Sequence, residues 1–234
     1  MDPTLTTLLV AAVSIAATHT FIGVDHYLPF VVLGRARGWS LSKVLGITAL
    51  CGVGHVVGSV VLGFLGIGLG YAVSDLVDIE GVRGSLAAWG LIAFGLVYAT
   101  WAGVRLFRGR RHTHVHAHDD GTLHTHDHDH EDAHLHAHAG KGLTLWAVFV
   151  LFVLGPCEPL IPLLMAPAWK HDWTGVAAVA GAFSLTTIAL MMGMAAVGFL
   201  GLRLFPARGL HRYAHVLAGL AIFGSGMAIQ VLGI

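Results

Sequence analysis

The sequence predicts an all-α integral membrane protein: six transmembrane helices arranged as two inverted three-helix repeats. Three observations lead there. The 234-residue chain is 56% hydrophobic and 11% charged, with a mean hydropathy of +0.75, whereas soluble domains carry about 25% charged residues. Its apolar residues fall into six long segments, and one strongly polar tract near the middle leaves three on each side. Each half also interrupts its first segment at a corresponding point: Val24-Asp25-His26-Tyr27-Leu28-Pro29 in one, Pro156-Cys157-Glu158-Pro159-Leu160-Ile161-Pro162 in the other. Three crossings per half reverse the second half relative to the first, and inverted repeats of this kind hold their sites near the midplane where the halves meet. A net charge of zero gives nucleic acid no electrostatic handle. Two cysteines in apolar segments do not make an extracellular disulfide framework. The opening Met-Asp-Pro lacks the basic region of a cleaved signal.

In chain order, the segments run over 4–33, 42–73, 84–107, 142–167, 173–202 and 209–233, each near or above the ~20 residues needed to cross a bilayer. The first, second and fifth exceed a straight crossing, so tilts or breaks are expected. Gly23 and Pro29 in the first segment, and Pro156, Pro159 and Pro162 in the fourth, are the expected break points. Irregular backbone at membrane depth survives only where protein or a polar cavity satisfies the freed groups. A second repeated element is Gly63-Phe64-Leu65-Gly66, which recurs as Gly198-Phe199-Leu200-Gly201.

The connections divide by charge. Those after segments one, three and five carry Arg35, Arg37, Lys43, Arg105, Arg108, Arg110, Arg111, Lys141, Arg203, Arg208 and Arg212. The opposite side has only Arg83 and Lys170, beside Asp75, Asp78, Glu80 and Asp172. The positive-inside rule then puts the odd-numbered connections in the cytoplasm and both termini outside, as in a multi-pass protein of a bacterial or archaeal inner membrane. Three regions follow: a first transmembrane repeat over 1–107, a cytoplasmic loop over 108–141, and a second repeat over 142–234.

The loop holds eleven histidines, His112, His114, His116, His118, His124, His126, His128, His130, His134, His136 and His138, with six acidic residues among them. Nothing in it can bury a core, so it should be disordered without a ligand. Histidine-rich tracts read as metal binding, and their alternate spacing favours loose, multi-ion binding. A polar or pH-responsive spacer is the blander alternative.

The sharpest feature lies in the first segment, His19-Thr-Phe-Ile-Gly-Val-Asp25-His26. A carboxylate in hydrocarbon costs roughly 2.5–3.5 kcal/mol on insertion scales, so such residues are kept where they pair or line a polar path. Imidazole and carboxylate are ligands for borderline divalent metals. On an unbroken helix His19 and His26 would share a face about 10 Å apart, too far for one ion, whereas a break at Gly23 would let them converge. His55 adds an imidazole in the second segment, between Gly54 and Val56. Cys157 and Glu158 offer a thiol and a carboxylate from the other half. For Cys157 a small apolar filler is the alternative, and for Glu158 a proton acceptor. His211 and His215 are an i, i+4 pair with either an accessory metal role or an interfacial one. For Ser184, Thr186 and Thr187 back-bonding to their own helix is the simpler account.

The His–Asp–His stretch followed by Gly54-His55 resembles the signature of the nickel/cobalt transporter superfamily. The closest type is nickel/cobalt efflux proteins with a histidine-rich internal loop, together with relatives described as urease accessory membrane proteins. That signature has four residues between the first His and Asp-His; here there are five, Thr20 to Val24. The resemblance implies a transporter rather than an enzyme, with Ni²⁺ or Co²⁺ as substrate, and a collecting loop on the cytoplasmic side slightly favours efflux over uptake. Its metal residues would be His19, Asp25, His26 and His55, faced by Cys157 and Glu158, with Zn²⁺ or Cu²⁺ as further ions for the loop. No nucleotide-binding motif is present, so energy would come from an ion gradient or a separate subunit; a homo-oligomer is compatible. Gly155-Pro156-Cys157-Glu158-Pro159 also resembles the cysteine-bearing breaks of the thiol-reductant transporters of cytochrome c maturation. A membrane thiol–disulfide oxidoreductase using Cys51 and Cys157 is therefore one rival reading, and a nickel-supplying factor for urease is another.

Overall fold

The structure, a computed structural model, describes residues 3–70, 72–108, 114–117, 123–126, 138–170, 172–204 and 211–232. The expected first segment is two helices, α1 (Pro3–Ile22) and α2 (Leu28–Ala36), joined by a 3-10 turn over Val24–His26. The expected fourth is likewise two, α5 (His138–Leu154) and α6 (Leu160–Ala168), with irregular chain over 155–159. Both breaks fall where Gly23 and the Pro156–Pro162 run predicted them. Pro29 sits in the first turn of α2, where a missing N–H is tolerated because no helical partner awaits it.

Between these pairs lie α3 (Leu41–Leu69) and α4 (Val73–Arg108), and after them α7 (Trp173–Leu204) and α8 (Ala214–Leu232). The Ser40 hydroxyl caps α3 by accepting from the Lys43 N–H at 3.3 Å. Gly70 ends it at φ 73°, a left-handed conformation that Gly adopts without steric cost. Among the described residues, five helices are long and apolar enough to cross a membrane: α1, α3, α4, α7 and α8. Of the six expected segments, the fourth contains no single helix of that length, because α5 and α6 are individually short. The third span also starts earlier than position 84. α4 begins at Val73 and draws Asp75, Asp78, Glu80 and Arg83, expected in a connection, into the helix. In the histidine-rich loop, where no regular structure was expected, β1 (His114–Ala117) and β2 (Leu123–His126) pair antiparallel, with His114 opposite His126 and His116 opposite His124. His112, His118, His128, His130, His134 and His136 lie outside the described residues, and His138 is the first residue of α5.

The outer face is apolar. Leu185 is 72% exposed, Val197 70% and Val97 68%, a surface that suits hydrocarbon and suggests a multi-pass membrane protein. Inside, Phe30, Leu33, Val44, Met191, Phe199 and Ile222 form one core where α2, α3, α7 and α8 meet. Ala12, Ala16, Val56, Leu160, Leu164 and Phe183 form a second among α1, α3, α6 and α7.

The element order (α1, α2), α3, α4 recurs as (α5, α6), α7, α8. The packing recurs with it. A Cβ on Gly63 of α3 would meet Leu164 of α6 at 2.9 Å, and one on Gly198 of α7 would meet Val31 of α2 at 2.9 Å. α4 and α8 run antiparallel. Gly219 lies against Ala99, Gly226 against Ala88 and Ile92, and the Gln230 side-chain amide donates to the Ser85 hydroxyl at 3.2 Å. One end of the molecule gathers cations and hydroxyls: Arg37 donates to Thr144 Oγ1 at 2.7 Å, and Tyr98 hydroxyl pairs with His215 Nδ1 at 2.8 Å.

The α4–α8 seam is the tightest helix contact, with backbone of α8 directly over Gly95. Gly95→Val should lower the thermal unfolding midpoint of the detergent-solubilised chain, consistent with an overpacking cost of about 1–3 kcal/mol or more. Gly103→Val, on the same helix but facing open space, should leave the midpoint nearly unchanged.

Candidate metal centre

Two helix breaks meet an intact helix to form a buried polar cluster. The break after Ile22 turns the chain so that the His19 and His26 rings meet edge-to-face, centroids 4.8 Å apart. This is the convergence that an unbroken helix would have prevented. From α3, His55 brings its ring to within 5.0 Å of His26, again edge-to-face. From the second break, Cys157 arrives fully buried. One ligand atom each from His19, His55 and Cys157 lie within 4.8 Å of one another, a group that could hold a metal ion. Donors on a shared tetrahedral ion, with bonds of 2.0–2.3 Å, lie about 3.5 Å apart, so binding would draw the three inward.

Glycine at each break makes room for the adjacent imidazole. A Cβ on Gly23 would stand 2.5 Å from His26 Nδ1, and one on Gly155 would stand 2.9 Å from His55 Nδ1. Those same nitrogens are held by backbone. His26 Nδ1 lies 3.0 Å from the Gly23 carbonyl and 3.2 Å from Asp25 Oδ1. His55 Nδ1 lies 3.2 Å from the Phe152 carbonyl. Because all these partners are acceptors, Nδ1 carries the proton in each neutral ring and Nε2 keeps the lone pair. Nε2 of His19, His26 and His55 are all buried without a hydrogen-bond partner. A buried imidazole nitrogen left so is costly, and an outer partner fixing the other nitrogen is what metal-ligating histidines use.

The cluster opens into a cavity of about 560 Å³ whose wall includes His19, Asp25, His26, His55 and Glu158. It extends toward Ser85 and Gln230, away from the Arg37–Thr144 end. Of the residues expected from sequence, His19, His55 and Cys157 are brought together, and His26 touches both imidazoles. Asp25 bonds the Nδ1 of His26, and Glu158 stands exposed on the cavity wall. Cys51 is buried elsewhere, in the core with Phe30 and Met191, and both cysteines are free. Thr186 back-bonds to the Ala182 carbonyl at 2.8 Å, whereas Thr187 Oγ1 is buried without a partner.

Sequence reasoning missed Ser59, Glu80 and Arg83. Glu80 is completely buried, accepting hydrogen bonds from Ser59 Oγ and the Cys157 N–H, each at 3.0 Å, and ion-pairing with Arg83. The available signal was the i, i+3 spacing of Glu80 and Arg83, which makes a pair on one helix face. Comparison with family models, with curated proteins and with solved structures gave no match.

Thiolate bound to Co²⁺ absorbs in the near ultraviolet, and the histidine-rich loop contains no cysteine. Co²⁺ added to the purified chain should therefore produce this band. Cys157→Ala or His55→Ala should abolish or strongly weaken it, and Cys51→Ala should leave it unchanged.

Proposed function

We propose that this chain carries divalent transition-metal ions across the membrane, with Ni²⁺ or Co²⁺ as substrate and efflux favoured over uptake. The observation that carries the reading is the set of three buried imidazole nitrogens without partners, beside a thiol, at the junction of two broken helices. Imidazole and thiolate suit borderline and soft metals, and disfavour Mg²⁺ or Ca²⁺, which take oxygen ligands. Broken helices lining a polar cavity are where membrane carriers place their sites. The resemblance of His19, Asp25, His26 and Gly54-His55 to the nickel/cobalt superfamily signature points the same way.

The chain's own residues would divide the work. His19, His55 and Cys157 supply donor atoms, with His26 next to them as a further imidazole. Asp25 orients His26 through Nδ1 and adds negative charge where a cation arrives. Glu158 adds a carboxylate to the wall of the same cavity. The repeated element order, the antiparallel α4 and α8 and the matched Gly63–Leu164 and Gly198–Val31 contacts support two inverted halves. On this reading each broken pair contributes a crossing, giving six. The cation-rich end with Arg37 and His215 would face the cytoplasm, and the histidine-rich loop would collect ions there. The two free cysteines lie in separate cores, which disfavours the thiol–disulfide alternative.

In proteoliposomes, Ni²⁺ or Co²⁺ flux should be lost in the Asp25→Ala/His26→Ala double variant and only slowed by deletion of residues 112–138. Flux unaffected by the double variant would end the transport reading. A nickel-supplying factor would bind metal without any flux.

A further inference from the structure

Three backbone groups freed by the second break are each met by one buried network. Arg83 donates to the Val153 carbonyl at 2.9 Å and to the Gly155 carbonyl at 3.5 Å. These lie at the C-terminal end of α5, where carbonyls have no helical partner. The Cys157 N–H donates to both Ser59 Oγ and Glu80 Oε2, each at 3.0 Å. Glu80 and Arg83 are ion-paired, and Ser59 lies within 3.4 Å of Arg83 and 3.0 Å of Glu80. The network thus grips the chain on both sides of Pro156, the residue that precedes the thiol.

Its placement is specific to the site. Ser59 is one turn along α3 from His55, and His55 bonds the Phe152 carbonyl, immediately before the carbonyl that Arg83 takes. One stretch of backbone, residues 152–157, which runs from the last turn of α5 into the break, is therefore fastened at four points by residues of α3 and α4. Its last fastening is the amide of Cys157 itself. A buried ion pair is seldom retained for stability alone, since apolar replacements of similar volume often do as well. We infer that Ser59, Glu80 and Arg83 are positioning residues that fix the Cys157 thiol toward His19 and His55. They would set the affinity of the metal site without touching the ion.

This inference rests on the metal-site reading, and the test separates the two. The full chain in nanodiscs is titrated with Co²⁺, recording the thiolate band, the dissociation constant read from it and the thermal unfolding midpoint. For Glu80→Gln the band should weaken and the dissociation constant rise about 10–100-fold, as for residues that orient a ligand from outside the metal's own shell. Ser59→Ala keeps the Glu80–Arg83 pair and decides the matter should Glu80→Gln not fold; it should weaken binding in the same direction, by less. A purely architectural network predicts lower midpoints with band and affinity intact in the folded protein, and that result overturns the inference. Absence of the band from the wild type overturns the metal-site reading itself.

Discussion

Everything in this protein turns on how backbone polar groups are satisfied where two helices break inside an apolar shell. Hydrocarbon offers them no hydrogen bonds, and each unmet group costs several kcal/mol. Here the side chains that meet that need are the site residues and their neighbours. His26 bonds the Gly23 carbonyl, His55 the Phe152 carbonyl, Arg83 the Val153 and Gly155 carbonyls, and Ser59 with Glu80 the Cys157 amide. Fold and site are thus one set of hydrogen bonds. Spending the Nδ1 proton of two imidazoles on backbone acceptors leaves the lone pair of each Nε2 buried without a hydrogen-bond partner.

How far this was legible varies by residue. Asp25 and His26 stood out because charge in an apolar run is costly enough to demand a reason. The breaks were legible because Gly23 and the Pro156–Pro162 run cannot continue a helix comfortably. For Cys157 the sequence leaves a core filler open, since nothing local distinguishes a liganding thiol from a packed one; only its distance to His19 and His55 does. Glu80 and Arg83 were placed outside the membrane because the run from Asp75 to Arg83 has the polarity of a connection. Their charges are masked by mutual pairing and by backbone partners 70 or more residues away in the chain, which no local window can register.

The order of elements recurs between the two halves, but their chemistry does not. Gly63 and Gly198 seat equivalent helices, yet His55 lies where the second half has only apolar side chains and hydroxyls. Each break carries a carboxylate, Asp25 or Glu158, but the first adds imidazole and the second a thiol. The group that could hold an ion therefore offers mixed nitrogen and sulfur donors, from His19 and His55 on one side and Cys157 on the other.

α4 is one uninterrupted helix of 36 residues, about 54 Å long at 1.5 Å per residue. Its first turns hold Glu80 and Arg83 against the second break, and its last residue, Arg108, adjoins the histidine-rich stretch. Within it no proline or irregular turn absorbs torque. One stiff element therefore joins the start of that stretch to the residues that hold the amide of Cys157.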